Sequence, residues 1–296
     1  MESKIPQQFK NNVIEAIKAD RANYGGSTAA YSKTIGLNEG ILSNILNNKD
    51  LEGKISDSNY LRIGRQLGVN RSQHNWKVTR TSVYNEIEDN LNFCKENSTS
   101  MILVDDCGIG KTFCATHIVS RMKNAFYIDC SQTKTKFAFI KALAKTIGLE
   151  GHGKFSEILE DIKYYITVLD KPLIVLDEAG DLEYHAFLEI KSIHNATVGA
   201  CGWYMMGAQG LQRKIKRGME NDKIGYAEIF SRFSDEFVTL VPTGKEAREE
   251  FYTDLIGTVA TAQINNKAQV NKLIKQCIDK KATLRKLKTL IEIVRE

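Results

Sequence analysis

The sequence predicts an α/β protein in three parts: an all-α N-terminal domain carrying a helix-turn-helix, a three-layer core on a parallel sheet, and a C-terminal helical lid. Three observations lead there. Short apolar runs alternate with helix-period segments between residues 100 and 243, the signature of parallel strands joined by helices. The first 69 residues hold helical spacing around Gly36 and no strand-like run. Beyond Thr243 the chain reads as helices to its end. The divisions expected are 1–69 for the helix-turn-helix domain, 70–81 for a linker, 82–242 for the core and 243–296 for the lid.

With 296 residues, 42% hydrophobic and 26% charged, the chain can bury at least one full core. Six cysteines, Cys94, Cys107, Cys114, Cys130, Cys201 and Cys277, contain no C-x-x-C pair, and the five histidines lack metal-ligand spacing. Reduced thiols in a cytoplasmic protein are expected. No stretch approaches the roughly 18 apolar residues of a membrane span, and the first twenty residues lack a signal-type apolar region, so no membrane partner is expected. The net charge is +5, unevenly spread: 12 basic and 7 acidic residues in 1–80, 18 and 22 in 81–242, 11 and 7 in 243–296. Basic ends around an acidic middle point to a polyanion held by the flanking parts, although a solvated charged face gives the same local excess.

Within the N-terminal part, Phe9 to Ala19 repeats apolar positions at helical spacing, and "STAAYSKTIGLNEGILSNILNNK" reads as two short helices about Gly36. Ser32 lies four residues before that glycine; Leu37, Leu42 and Ile45 lie one, six and nine after it. This is helix-turn-helix spacing: a small residue for close approach, glycine for a positive φ, and an apolar set that locks the second helix. An ordinary helical hairpin fits the same residues. If 38–47 enters a major groove, Asn38, Glu39, Ser43, Asn44 and Asn47 are the exposed side chains, the amides and hydroxyl suiting base edges, with Lys33 and Lys49 near phosphates. No arginine is present to grip a guanine, so weak or nonspecific duplex contact is expected. "SDSNYLRIGRQLGV" adds a capped helix, giving a bundle of about five helices. "NRSQHNWKVTRT" then loses apolar periodicity, as a linker does.

The core opens with "SMILVDDCGIGKTF". A strand over Ser100 to Val104, a loop and a helix from Thr112 to Met122 supply the context a phosphate loop needs. Backbone N–H groups of Gly108, Ile109, Gly110, Lys111, Thr112 and the start of the helix at Phe113 are placed to surround phosphates. Lys111 is expected at the β and γ phosphates of ATP, and the Thr112 hydroxyl on Mg2+. The usual first glycine is replaced by Asp105; aspartate tolerates the turn, but its carboxylate, like that of Asp106, repels triphosphate if turned inward. "KPLIVLDEAGDL" follows, a buried parallel strand ending in Asp177 and Glu178, 66 residues after Lys111. Asp177 is expected to hold the Mg2+ shell, and Glu178 to orient and polarise the attacking water. Solvent-exposed acids at a strand end are the bland alternative for this motif alone.

Further strands are expected at 125–131, 202–208 and 236–243, with helices around 136–147, 155–169, 183–195 and 210–217. Thr243 with Glu246 reads as a capping box opening the lid. Arg232, just before the last strand, is placed to serve a neighbouring subunit's γ-phosphate, and Arg285 to report nucleotide from the lid; a plain surface cation is the lesser alternative for each.

Taken together, the helix-turn-helix, "GIGKT", "LIVLDEAGDL", the "SRF" arginine and the "LRKL" lid resemble the MuB-like AAA+ ATPases, transposition helpers of the phage Mu type, and more broadly the AAA+ ATPases that assist DDE transposases. The resemblance implies an AAA+ core with a repressor-like N-terminal domain. It implies largely nonsequence-specific binding of double-stranded DNA, dependent on ATP and Mg2+, as a homo-oligomeric helical filament. Target capture and stimulation of a transposase that in turn triggers hydrolysis also follow from it. Lys111, Thr112, Asp177, Glu178, Arg232 and Arg285 match the family's functional positions, and "KVTRTSV" at 77–83 is similar to the segment flanking adenine. Two departures, Asp105 and Ala208 in place of the usual polar sensor residue before Gln209, lead to an expectation of slow, partner-dependent hydrolysis. Core DNA contacts are expected from Lys134 and Lys136 in "TKTKF" and from Arg213, Lys214, Lys216 and Arg217 in "QRKIKR", although such basic faces are also commonly just solvated. A helicase loader or partner-remodelling ATPase, and a nucleotide-gated operator reader, remain open as alternatives.

Overall fold

The computed structural model describes residues 5–69 and 76–295. Four helices occupy the N-terminal region: α1 (Gln7–Asn23), α2 (Thr28–Thr34), α3 (Glu39–Leu46) and α4 (Asp57–Gln66). The expected five-helix bundle is therefore four-helical among the described residues. Ser27, Asn38 and Ser56 cap α2, α3 and α4 by accepting backbone N–H groups, contributing ~1 kcal/mol each. Gly36 takes φ +60° at the turn between α2 and α3, and Arg62 of α4 donates to its carbonyl at 2.9 Å. Phe9, Val13, Ile17, Tyr31, Ile35, Leu37, Leu42, Ile45 and Ile63 form one buried cluster, so the periodic apolar positions all face inward. Of the expected linker, 70–75 lie outside the described residues.

The core begins with a helix absent from those expected, α5 (Ser82–Asn97), capped by Thr81. It is followed by β1 (Ser100–Val104), α6 (Lys111–Val119), β2 (Ala125–Asp129), α7 (Lys136–Ile147), α8 (Phe155–Val168) and β3 (Leu173–Asp177). The remaining core elements are α9 (Tyr184–Ala196), β4 (Gly202–Gly207), α10 (Gln209–Glu220), α11 (Tyr226–Arg232) and β5 (Phe237–Val238). The five strands are parallel in the order β2-β3-β4-β1-β5. Alternate side chains enter two cores, as a doubly covered sheet requires: Ile102, Ile174, Leu176, Trp203 and Met205 on one face, Leu103, Val175, Tyr204 and Met206 on the other. Each such burial is worth roughly 1.5–3 kcal/mol.

β5 is much shorter than the expected 236–243. Only Phe237 and Val238 pair with β1; the N–H groups of Leu240 and Val241 instead reach the carboxylate of Asp105. In the region expected to form the lid, α12 (Lys245–Gln263), α13 (Lys267–Asp279) and α14 (Leu284–Arg295) pack around Ile256, Val259, Leu273, Leu287 and Ile291. The expected capping box is absent. Gly244, at φ 109° and ψ 143°, is the N-cap of α12, which leaves Thr243 one residue too early and Glu246 second in the helix.

The N-terminal domain touches the core at the edge where strands begin. Asn124, just before β2, donates its N–H to Asn23 O at 3.1 Å, and Tyr24 Oη donates to Gly148 O at 3.4 Å, at the end of α7. No helix among the described residues is long and apolar enough to cross a membrane.

Candidate active site

Parallel strands deliver their carboxyl ends to one edge, and the catalytic candidates converge there. β1 ends at Val104 and α6 begins at Lys111; between them Gly108 and Gly110 adopt φ +79° and +103°, which turns the loop onto the helix N-terminus. Lys111 is only 8% exposed. Its Nζ donates to Asp105 O at 2.9 Å and Asp106 O at 2.6 Å, and burial lowers its pKa against the raising influence of Asp105 and its acidic neighbours. A buried ammonium at the head of a helix is a donor set suited to phosphate oxygens. The side chain of Ile109 is buried in the core, so that residue offers the loop only its backbone.

Asp105 does not face this space. At 3% exposure, its Oδ1 accepts Asp106 N–H at 2.7 Å, and its Oδ2 accepts the N–H groups of Leu240 and, at 2.9 Å, Val241. Three backbone donors, one from the loop and two from the segment before α12, thus satisfy the carboxylate. Asp106 is likewise engaged, with Oδ2 accepting from Tyr252 Oη at 2.6 Å and pairing with Arg248.

At the end of β3, Asp177 is 2% exposed and fully bonded. Its Oδ2 accepts from Thr112 Oγ1 and from Tyr127 Oη, each at 2.7 Å, and its Oδ1 accepts Glu178 N–H at 2.8 Å. Both Mg2+ candidates, Thr112 and Asp177, are therefore together. Glu178 stands beside them at φ 49°; partial burial and then the Asp177 charge raise its pKa, the direction a proton-accepting carboxylate needs. Among the described residues no group of three or more His, Cys, Asp or Glu is placed to hold a metal.

Ala208 is the N-cap of α10 and gives no side-chain cap; Gln209 follows it. With Asp105, Asp106, Thr239, Val241, Thr243 and Arg248, Gln209 lines a cavity of about 410 Å³ between the loop and the lid entry. Phe113 is 44% exposed and stacks on His117 (centroids 6.1 Å apart, planes 15°), whose Nδ1 lies 3.0 Å from Tyr84 Oη. In the 77–83 segment, Lys77 exchanges two backbone hydrogen bonds with the Gln263 side chain of α12.

The two arginines part company. Arg285 is the exposed second residue of α14, whose start meets the loop: Leu284 N–H donates to Gly108 O at 3.0 Å, and a Cβ on Gly108 would lie 2.6 Å from Thr283 Oγ1. Arg232 ends α11 at the opposite edge of the sheet, near the start of β1, donating to Asn195 Oδ1 and, at 2.8 Å, to Glu228 O. It cannot reach this chain's own Lys111 and Asp177, which lie at the strands' carboxyl ends.

The DNA candidates also separate. Lys134 pairs with Asp181 at 3.0 Å and Lys136 with Glu189 at 2.7 Å. Lys214 turns inward to the carbonyls of Gly180 and Leu182, and burial lowers its pKa, so it does not join the exposed row of Arg213, Lys216 and Arg217. On α3, Asn38 spends its carbonyl on Gly40 N–H and Asn47 spends its amide on Ser43 O; Asn44 is half-buried.

Four residues escaped the sequence reading: Tyr127, Arg248, Tyr252 and Thr283. Tyr127 pairs in register with Val175 on β3, and nothing in its own neighbourhood announces a contact with Asp177.

Residues 94–215, which span both motifs, match the AAA domain family. Over those residues the chain is similar to the AAA domain. ATP is the ligand that this domain type and the Lys111–Thr112–Asp177 geometry fit. No curated protein matches the chain. Among solved structures, NtrX from Brucella abortus, in complex with ATP, is similar at 15% identity and a TM-score of 0.44, over 85% of this chain and 58% of that one. The chain thus spans little more than half of NtrX.

Proposed function

We propose that this chain is an ATP-dependent, largely nonsequence-specific DNA-binding ATPase that assembles head to tail on double-stranded DNA and, as a transposition helper, captures target DNA for a DDE transposase and stimulates it. The carrying observation is the separation of Arg232 from its own chain's Lys111 and Asp177 by the depth of the sheet. An arginine so placed is out of reach of its own chain's nucleotide, which supports a site shared between copies through a heterologous contact, the kind that closes a ring or extends a helical filament. Thr112 and Asp177 would hold a Mg2+ ion, which would neutralise charge at the phosphates; Lys111 binds those phosphates and Glu178 takes the proton of the attacking water.

The DNA part of the reading rests on charge. Arg213, Lys216 and Arg217 lie exposed on α10, which begins at the Gln209 end of the nucleotide crevice, and both chain ends are basic. Backbone-directed cations bind any sequence and lose affinity steeply with salt. The α2–α3 pair adds a second, weaker surface, since two of its four amide and hydroxyl candidates are engaged within the helix.

Filter binding of random-sequence duplex with and without ATP tests the proposal. The expectation is tight binding only with ATP, abolished by Lys111→Ala. Little duplex binding in either state points instead to a helicase loader or protein remodeller, and a single preferred site to an operator reader; both overturn the proposal.

A further inference from the structure

Resting on the reading that Gly108–Thr112 takes a triphosphate, we infer that Asp105 and Asp106 are positioning residues that fasten the lid to the phosphate loop, so that nucleotide occupancy and lid seating are coupled through the same two peptide units. Glycine, the usual occupant of position 105, has no side chain with which to do this.

Three residues of the loop each hold a different part of the lid assembly. Asp105 takes the N–H groups of Leu240 and Val241, in the strap that leads to α12. Asp106 takes the Tyr252 hydroxyl at 2.6 Å and the Arg248 guanidinium, both on α12. Gly108 O takes Leu284 N–H at 3.0 Å, at the start of α14, with Thr283 against the glycine Cα. The first two are charge-assisted, and Asp105 makes its bonds at 3% exposure, where losing the acceptor strands two backbone donors.

The same segment faces the phosphates through Lys111. Its Nζ donates to the main-chain carbonyls of Asp105 and Asp106, the residues whose side chains hold the lid. A triphosphate that draws Lys111 to its own oxygens removes both donors, and those peptide units then settle differently with the lid attached to them. Coupling of this kind needs no long pathway, because the two sites share atoms. It is reciprocal: whatever factor the nucleotide applies to lid seating, lid seating applies to nucleotide affinity.

Hydrogen exchange of the full chain, with and without ATP, tests this beside calorimetric ATP binding. In the parent protein ATP is expected to slow exchange across 240–263 and 284–294. In Asp105→Gly those amides should exchange ~10-fold faster without nucleotide, and ATP should not restore them, although ATP still binds within about threefold of the parent affinity. Asp105→Asn keeps one acceptor oxygen and is expected to recover part of the response, which a general loss of stability would not. If Asp105→Gly does not fold, Asp106→Asn and Tyr252→Phe, on the exposed side of the clamp, are expected to weaken the response of α12 alone. Equal ATP protection of the lid in parent and variants overturns the inference. Failure of the parent to bind ATP overturns the nucleotide reading instead, and the nucleotide-free comparison still decides whether the two acids fasten the lid.

Discussion

The Thr112 hydroxyl donates to the Asp177 carboxylate at 2.7 Å, joining the phosphate loop to the end of β3 across 65 residues of chain. Tyr127 donates to the same oxygen from β2 at 2.7 Å. This second donor fixes the carboxylate's orientation without belonging to either motif. Tyr127→Phe is expected to raise the Mg2+ concentration needed for half-maximal hydrolysis ~10-fold while leaving ATP binding without metal unchanged. A Mg2+ titration of activity checks it; an unchanged curve means Asp177 is held well enough by Thr112 and Glu178 N–H.

Glu178 is expected to serve chemistry and Lys111 binding. Glu178→Gln keeps the shape of the site and removes the proton acceptor, so ATP affinity should hold while turnover falls by ~10²-fold or more. Steady-state hydrolysis together with nucleotide binding makes the distinction. Equal loss of both would place Glu178 in loop architecture rather than in water activation.

Arg232 predicts complementation between subunits. Arg232→Ala alone should lower hydrolysis by ~10³-fold, as should Lys111→Ala alone. Mixed together, the Lys111→Ala chain still offers an intact Arg232 to the nucleotide bound by the Arg232→Ala chain. Activity should therefore partly return. Mixtures that stay inactive at every ratio would show that Arg232 does not act across an interface.

His194 sets a pH dependence of stability. Its Nε2 lies 2.9 Å from Ser100 Oγ, its ring packs on Trp203 and Phe233, and burial followed by the Arg232 charge lowers its pKa to about 4. The folded chain thus keeps the imidazole neutral where the unfolded chain, at the ordinary value of ~6.5, binds a proton. Stability from this group is complete above pH ~6.5 and is lost as pH falls toward 4, by on the order of 3 kcal/mol. Urea midpoints measured between pH 7.5 and 4.5 should drop in the parent and drop less in His194→Gln.

Much of the core was legible because its signals are local. The apolar runs at 100–104 and 173–177 end where "GIGKT" and "DE" begin, and strand periodicity needs only the few residues around it. What escaped depends on partners far along the chain. The shortening of the last strand to Phe237–Val238 follows from Asp105 taking the N–H groups of Leu240 and Val241, a competition invisible in 236–243 itself. The lid's start moved because Gly244 accepts a backbone conformation that displaces the helix by one residue past Thr243. α5 was readable in principle, since Val83, Ile87, Leu91 and Cys94 recur at helical spacing. At the site, residue identity picked out Lys111, Thr112, Asp177 and Glu178, which the structure brings together at the strands' carboxyl ends. It could not tell which basic residues stay free: Lys214 looked equivalent to Arg213 and Arg217 until the carbonyls of Gly180 and Leu182 came beneath it.

The central claim is that the loop from Gly108 to Thr112 binds a triphosphate although Asp105 stands where glycine is usual. Isothermal calorimetry of the purified chain with ATP and Mg2+ tests it most directly. Saturable uptake approaching one ATP per chain, lost in Lys111→Ala and retained in Asp105→Gly, is predicted. No heat of binding from the parent protein, at concentrations where its fold is intact, would contradict the account.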